Sequence, residues 1–539
     1  MLFYRCAAAL ALGTTALSGV GAESVDAKPT LPSKMSITEL APSKLVPDLC
    51  VFRYRISTTS PECQAYFDQG LGYFYSYVWM EAARSFETAL QYDVECPMAW
   101  WGLSRALERW GKLNHRDTLV KASKLQTRAN YREQQLILAS MQEKEDTPAA
   151  GDEEARKRKA IATIDNLIAL YDEDEEAWYF RAQLAGGSGL NGGQLSSVPF
   201  YKALLRINPL HPGANHELIH YYENAERPAL GWIHAENFIK SSPGIPHAFH
   251  MQAHLAMRLG KWAKTTDRSV HAIELQRAYH KEMKVKPHDD HQYDHHLETL
   301  LCALVHDGRF TEARAIQSEQ RACGYESRLV WFRLHLAERD WAEARKVLDT
   351  FRIANPNDKG TSAYLSALLY LKQGDPIRTL PEIRVLQDDL RERPEDTTLQ
   401  FRLWETHGWY LCQTGAADEG LKMLARLVAK TKDSYDHHAW GNGAYHMEMW
   451  GIAALQVGRE SCAEEAFLEA LAHDPGSVRA ALGMQVLCEH QRRTEEAKHF
   501  ADIARGSWKR ASRASLTAEL DALRSAHNAA AEKPKKRSK

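Results

Sequence analysis

The amino-acid sequence predicts an all-α protein, a right-handed superhelix built from antiparallel helix pairs. Three observations support this fold class. Small and bulky apolar residues recur at fixed positions in units of about 34 residues, and the alternating pattern of a β-strand is almost absent. Helix-stop signals stand between the units, at Asn355-Pro356, Gly374-Asp375 and Asp474-Pro475.

The first clear repeat begins at Cys63. Counted from there, positions 8, 11, 20, 24 and 27 are occupied by Gly70, Tyr73, Ala82, Phe86 and Ala89. Small residues let the two helices of a hairpin approach, and large ones fill the groove of the next hairpin. The same order returns near the end of the chain at Gly451, Gly458, Ala463, Phe467, Ala470 and Pro475. This periodicity predicts helical repeats over about 60–510.

The two ends of the chain differ from the repeats. Arg5, the apolar run Ala7–Val20 and the small residues before Glu23 have the order of a secretory signal peptide, and the run is too short for a stable membrane span. We therefore expect export to the periplasm or cell envelope. The predicted segments are a signal peptide at 1–22, a linker at 23–60, repeats at 61–200, histidine-rich repeats at 201–310, repeats at 311–510, and a helix with a basic tail at 511–539.

Composition excludes some partners. The chain of 539 residues is 44% hydrophobic and 26% charged, with a formal net charge of -2. Such a balance gives no global field that attracts nucleic acid or an anionic membrane. The sequence has no phosphate-binding or dinucleotide-binding fingerprint and no recognisable Ser-His-Asp or Cys-His arrangement.

Histidine is distributed unevenly, with 14 of the 24 histidines between His211 and His306. Two pairs, His216 with His220 and His250 with His254, have i, i+4 spacing, which places both side chains on one face of a helix. Packing positions of a helical array normally hold small or apolar residues, so imidazoles there indicate a functional site. We predict a transition-metal site whose ligands are His211, His216, His220, His247, His250 and His254.

The ligand chemistry favours zinc or copper over magnesium or calcium, because imidazole nitrogens dominate the set. Three plus three histidines would match a coupled dicopper site in ligand number alone. Glu217 and Glu223 are candidates for a carboxylate ligand or for orienting the histidines, under which zinc hydrolysis or iron chemistry stays open. Cysteine thiolates are not expected to take part, since no Cys-x-x-Cys pair occurs.

Other segments have two interpretations each. For His288, His291, Asp294, His295 and His296 we favour an exposed loop before a helix, with ligands reaching back to the same concave surface as the alternative. His437, His438 and His446 form a third group far along the chain. We favour a position away from the first histidines, with the alternative that the curl of the superhelix brings this group to the same groove. The glycine-rich stretch 184–197 is interpreted as a surface loop rather than a lid over the histidines.

The repeat pattern resembles the tetratricopeptide repeat superfamily over most of the chain after residue 22. More narrowly, the sequence resembles exported bacterial repeat proteins of unassigned function. The resemblance is carried by Trp-Trp-Gly-Leu from Trp100, His-Pro-Gly-Ala-Asn-His-x-x-Ile-His from His211, and His-x-x-His-Met-x-x-His from His247. Ala253 departs from the small hydroxyl residue expected in the last block. The resemblance implies the superhelical fold and no particular reaction.

Three hypotheses about function follow. The favoured one is an exported metal-binding repeat protein, for which catalysis is left open. The second is a scaffold whose concave groove binds a protein or peptide and whose histidines are structural. The third is a structural array of the cell envelope.

Overall fold

The computed structural model describes residues 30–145, 151–186, 194–326, 328–432 and 444–532, which contain 25 α-helices, two short 3-10 helices and no strand. The first twelve helices are α1 Pro61–Phe74, α2 Trp79–Tyr92, α3 Pro97–Arg109, α4 His115–Lys124, α5 Tyr131–Lys144, α6 Glu153–Leu170, α7 Glu175–Gly186, α8 Val198–Ile207, α9 Pro212–Asn224, α10 Pro228–Ser241, α11 Pro246–Arg258 and α12 Trp262–Met283. The next eight are α13 Tyr293–His306, α14 Phe310–Ala322, α15 Arg328–Glu338, α16 Trp341–Ala354, α17 Lys359–Lys372, α18 Pro376–Glu392, α19 Thr397–Thr414 and α20 Ala417–Thr431. The last five are α21 Tyr445–Gln456, α22 Glu460–His473, α23 Val478–His490, α24 Thr494–Ser507 and α25 Arg513–Glu532.

Helices α1 to α24 pack as twelve successive antiparallel hairpins. Within these hairpins the odd-numbered helix comes first and packs on the even-numbered helix that follows it. Many of the first helices also contact the first helix of a neighbouring hairpin. The predicted all-α array of helix pairs is thus confirmed. None of the helices in the described ranges combines the length and the apolar content needed to cross a membrane. The predicted signal peptide and the end of the basic tail lie outside these ranges.

Glycine and phenylalanine explain how the hairpins pack. A Cβ atom added to Gly70 would lie 2.6 Å from the ring of Phe86, and one added to Gly102 would lie 2.7 Å from it. Phe86 is therefore held between two helix backbones in α1 and α3. Near the other end of the chain, Phe467 has the same relation to Gly451 and Gly483. The repeat residues found in the sequence are thus those that set the distance between hairpins.

Residues 30–60 form no helix, yet they are packed rather than free. Cys50, Phe52, Tyr54 and Ile56 are buried in the first hydrophobic core while the residues between them are exposed. The segment also bonds to the α10–α11 turn, where the Val51 N–H donates to the Ser241 carbonyl at 2.7 Å. This differs from the expected linker, because alternating apolar side chains anchor the segment to the array.

Long-range contacts close the array on itself. The Trp262 indole N–H donates to Oδ2 of Asp474 at 2.9 Å, which joins the start of α12 to the turn between α22 and α23. Arg510 and Asp307 form a second link at 3.1 Å. The terminal helix α25 packs on α21 and α23, which are first helices of their hairpins. The C-terminal hairpins therefore return to the histidine-rich part of the chain.

Candidate metal centre

Seven histidines converge from the first helices of three successive hairpins. They stand on α9, α11 and α13, and α11 contacts both of the other helices. Prolines at the first position of α9 and α11 fix φ in the helical range and so define where each helix begins. We call these seven side chains the histidine row: His216, His220, His247, His250, His254, His295 and His296.

The first end of the row is a triad of Nε2 atoms. Nε2 of His216 lies 3.0 Å from Nε2 of His220 and 3.1 Å from Nε2 of His247. The His216 Nδ1–H donates to the Tyr75 carbonyl at 2.7 Å. In a neutral imidazole this leaves Nε2 of His216 with its single lone pair, aimed at both neighbouring rings.

Two further triads continue the row. Their members are His247, His250 and His296, and then His250, His254 and His295, and within each triad the ligand atoms lie within 4.8 Å of one another. The rings of His250 and His296 are 3.9 Å apart between centroids. Since the first and last triads share no residue, the row contains two complete three-histidine sets.

Several ring nitrogens in the row are buried without a hydrogen bond. Neither nitrogen of His250 has a hydrogen-bond partner among the residues described, nor has Nδ1 of His247 or Nε2 of His296. The other nitrogen of His296 donates to Oε1 of Gln276 at 2.7 Å, which again turns an Nε2 lone pair toward the row. An unsatisfied buried polar group costs about 1–3 kcal/mol, so these nitrogens are expected to have a ligand.

Six imidazoles of the row have a pKa lowered by burial and are neutral near pH 7: His216, His220, His247, His250, His295 and His296. Burial lowers the pKa of His216, His247 and His250 well below the ordinary imidazole value, and neighbouring imidazoles lower it further. Burial also lowers the pKa of His220 to about 4 and that of His295 to about 3. Neutral imidazoles offer lone pairs, which a metal ion requires of its ligands.

A carboxylate holds the last triad in place. The His254 Nδ1–H donates to Oε1 of Glu223 at 3.1 Å, and the Arg258 Nε–H donates to the same oxygen at 2.7 Å. Burial would raise the pKa of Glu223, but His254, Arg258 and His220 together lower it below its usual value. A carboxylate behind a histidine fixes the ring orientation and makes the imidazole a better ligand.

Glu217, considered in the sequence as either a ligand or a supporting carboxylate, belongs to none of the triads and contacts two tyrosines. Its Oε1 accepts hydrogen bonds from the Tyr77 hydroxyl at 2.9 Å and the Tyr179 hydroxyl at 3.3 Å. Tyr77 lies over the first triad, with its ring parallel to that of His220 within 9° and its centroid 4.4 Å from that of His216. Glu217 therefore positions the tyrosine that covers this end of the row.

The position of Tyr77 over the first triad could not be predicted from the sequence. Its φ is 59°, in the left-handed region that a bulky side chain rarely adopts. Backbone strain of this kind persists where the surrounding structure enforces it, often at functional sites. The sequence shows only an aromatic residue in a turn between two helices.

The structure places His211 apart from the three triads, in contrast to its predicted role as a ligand. It is the N-cap of α9, and its Nδ1 accepts the Ala214 N–H at 3.1 Å. Its ring packs against Phe52 and Tyr75, with centroids 4.8 and 4.9 Å away. His211 thus supplies the capping side chain directly before Pro212.

His295 and His296 correct the interpretation of the second histidine group as an exposed loop. Both stand in the first turn of α13, and His296 is fully buried. His288 is exposed and belongs to none of the triads. The sequence contained an indication of this, because His295 and His296 lie near the start of a helix that begins a hairpin. His216 and His247 have similar positions in their own hairpins.

The remaining candidates lie elsewhere. His437, His438 and residues 187–193 of the glycine-rich stretch fall outside the described residues. His446 is buried in the C-terminal half, where its Nδ1 lies 3.9 Å from Oε2 of Glu405.

Comparison with known proteins supports the repeat assignment. Residues 67–113, which span parts of the first two hairpins, match the tetratricopeptide repeat family, in agreement with the repeat predicted to begin at Cys63. No curated protein matches the chain.

Two solved structures align with most of the chain at low identity and low TM-score. A chain of the APC/C hetero-tetramer Cut9-Hcn1 aligns at 13% identity with a TM-score of 0.34, covering 82% of this chain and 79% of that chain. Yeast Tom70 aligns at 14% identity with a TM-score of 0.27, covering 86% of this chain and 96% of that chain.

Proposed function

We propose that this chain is an exported repeat protein that binds transition-metal ions, zinc or copper, in the histidine row. One observation carries the proposal. Nε2 of His216 lies within 3.1 Å of the Nε2 atoms of both His220 and His247. The single lone pair of His216 Nε2 cannot accept well-aligned hydrogen bonds from both neighbours. One cation bound by the three Nε2 atoms would instead use the lone pair of each.

The separations suit shared coordination. Imidazole nitrogens bind zinc at about 2.0–2.1 Å. Two such nitrogens on one ion are about 2.9 Å apart at a right angle and about 3.4 Å apart at a tetrahedral angle. The separations of 3.0 and 3.1 Å fall between these limits.

The row favours two ions. His216, His220 and His247 form one site, and His250, His254 and His295 form the other, while His296 stands between them. Three protein ligands leave a coordination position for water or a substrate, as in catalytic zinc sites, whereas structural zinc sites are closed by four. Imidazole suits zinc and copper alike, so the metal is to be identified by analysis.

The alternative is a scaffold that binds a protein or peptide in its concave groove, with structural histidines. Structural histidines in a core are expected to be hydrogen-bonded through the protein. His250, buried with no hydrogen-bond partner for either nitrogen within the described ranges, argues for the metal instead.

Elemental analysis tests the metal proposal. Protein purified without an affinity tag is compared with the variants His220→Ala and His254→Ala, each of which removes one ligand from one end of the row. We expect about two ions per chain in the parent and about one in each variant. A control variant, His499→Ala, removes an exposed histidine of α24 and should keep both ions. Equal metal content in the parent and in both ligand variants would overturn the proposal.

Export is tested separately. We expect the protein recovered from the cell envelope or periplasm to begin near Glu23, as measured by mass spectrometry of its N-terminus. A protein that retains Met1 and stays with the cytoplasmic fraction would contradict export.

A further inference from the structure

A cavity that is partly open to solvent lies in the C-terminal half of the array. It has a volume of about 490 Å³, within the usual range for small-molecule sites. Its walls come from the first helices α13, α15, α17, α19, α21 and α23, and the terminal helix α25 forms the remaining side. None of the histidine row lines it, so it is a distinct cavity of the same inner surface.

The walls combine aromatic surface with charge. Tyr364, Trp409 and Tyr445 present rings to the space, beside apolar residues such as Phe332 and Leu368. Five basic and three acidic side chains also line it, so the cavity has an excess of positive charge even when every carboxylate is ionised. Burial raises the pKa of the Glu405 carboxyl, which adds to that excess.

The acidic side chains already have partners. Glu405 accepts hydrogen bonds from the hydroxyls of Tyr364 and Tyr445, both at 2.8 Å. Glu519 is paired with Arg339 at 3.1 Å and with Arg479 at 2.9 Å. The third carboxylate, Glu448, accepts the Ser477 hydroxyl at 2.7 Å and lies 3.6 Å from Arg479.

Three basic side chains have aromatic contacts instead of an ion pair in the part of the chain described. The Lys372 ammonium lies 4.8 Å from the Trp409 ring centre and donates to Sδ of Met449 at 3.6 Å. The Arg333 guanidinium lies 5.9 Å from the ring centre of Tyr445. Arg402 lies over Tyr364 at 5.1 Å and donates to Thr361 at 2.8 Å. The three side chains are half-buried, and a cation partly withdrawn from water is stabilised by an anion beside it.

We propose that this cavity binds a small organic anion, a molecule with a ring-sized apolar body and one anionic group that meets Lys372 and Arg333. The aromatic walls take the apolar body, and the two cations take the charge. The anionic group of such a ligand compensates the charges of Lys372 and Arg333. Its rings displace water from the aromatic walls of the cavity. The site is a binding function that the metal-binding proposal does not include.

Lys372 gives the binding a pH dependence. Burial and the nearby charge of Arg479 lower its pKa to about 8, Arg339 acts in the same direction, and Glu519 and Glu405 act against them. The ammonium is therefore lost as pH rises from 7 to 9. We expect the anion to bind more weakly at pH 9 than at pH 7, while an uncharged analogue should bind equally at both.

The test uses the full chain and two fluorescent probes. Anilinonaphthalene sulfonate is an aromatic monoanion, and phenylnaphthylamine is its uncharged counterpart. We expect one anion to bind per chain, about tenfold more tightly than the neutral probe, since a charge-assisted contact contributes at least that factor. Lys372→Met should weaken the anion about tenfold and leave the neutral probe unchanged.

Lys112→Met is the matched control, because Lys112 lies over the Trp110 ring at 4.2 Å and does not line the cavity. If Lys372→Met does not fold, as judged by circular dichroism, Arg333→Met replaces it with the same expected loss. Naphthoate should displace the probe, and naphthalenemethanol should not. Equal binding of both probes, unchanged binding in a folded Lys372→Met or Arg333→Met variant, or displacement by peptides alone would overturn the proposal.

Discussion

Nε2 of His216 lies 3.1 Å from Nε2 of His247, although the two residues stand on the first helices of different hairpins. The approach depends on the register between hairpins, which the i, i+4 spacing within one helix does not set. The Tyr75 carbonyl fixes the His216 ring by accepting its Nδ1–H at 2.7 Å. The site is therefore built by the three hairpins that carry α9, α11 and α13. A backbone carbonyl of the α1–α2 hairpin orients His216, the ligand at the centre of the first triad.

Metal binding should stabilise the folded chain. A ligand that binds only the folded state adds about 2.7 kcal/mol to the free energy of unfolding at a free concentration of 100 times its dissociation constant. We expect zinc or copper to raise the melting temperature of metal-free protein, and a chelator to reverse the rise. The variant with both His220→Ala and His254→Ala should show a much smaller rise, measured by scanning calorimetry.

Glu223→Gln should weaken the last triad more than the first, because Glu223 lies 3.1 Å from His254 of the last triad and 4.0 Å from His220 of the first. The amide keeps the size of the side chain but loses the charge that orients and polarises His254, which lies 3.1 Å away. Loss of such a supporting carboxylate typically lowers metal affinity about 10–100-fold. Competition titration with a chromophoric chelator should show one site weakened clearly more than the other. Two equally weakened sites, or none, would contradict the assignment of Glu223 to one end of the row.

Gly70→Ala should destabilise the first hairpins. The added methyl group would lie 2.6 Å from the Phe86 ring, and overpacking of this kind costs about 1–3 kcal/mol. Gly506→Ala is the matched control, since no atom lies within 4 Å of its added Cβ in α24. There the substitution should be neutral or stabilising, by up to about 1 kcal/mol. Urea unfolding of the two variants measures the difference, and equal effects would argue against the packing role of Gly70.

Asp474 should make the unfolding free energy depend on pH. Burial raises its pKa from 3.8 to about 7, against the opposing hydrogen bond from Trp262. Between pH 4 and pH 7 the folded chain holds a proton that the unfolded chain has lost, so stability falls as pH rises through this window. The full effect is at most about 4 kcal/mol.

Asp474→Asn keeps an oxygen acceptor for Trp262 and removes the titration. Urea unfolding at pH 5 and pH 7.5 should show a smaller loss of stability for this variant than for the parent over the same interval. Other groups titrate equally in the two proteins and cancel. The same pH dependence in parent and variant would show that Asp474 is not protonated in the folded state.

The sequence predicted the array because its packing residues repeat at fixed spacing. Phe86 and Phe467, near opposite ends of the chain, each pack between two helix glycines. It did not predict the packing of residues 50–56, since an alternating segment without a partner strand has no repeat signature. Closure through Trp262 and Asp474 was equally inaccessible, because it joins residues 212 positions apart.

The histidine row was predicted in part. Spacing identified His216, His220, His250 and His254, which share helix faces, and proximity added His247. His295 and His296 of α13 were not predicted as ligands. The face of α13 that meets α11 depends on how the hairpins stack and not on local sequence. A capping histidine and a ligand histidine look alike in sequence, and so His211 was included among the ligands.

Metal binding by the histidine row is tested by the metal content of tag-free protein, measured by inductively coupled plasma mass spectrometry on the parent and on the double variant His220→Ala, His254→Ala. We expect about two zinc or copper ions per chain in the parent and none retained in the folded double variant. Equal metal content in the two proteins, or no zinc or copper in the parent after exposure to either metal, would contradict it.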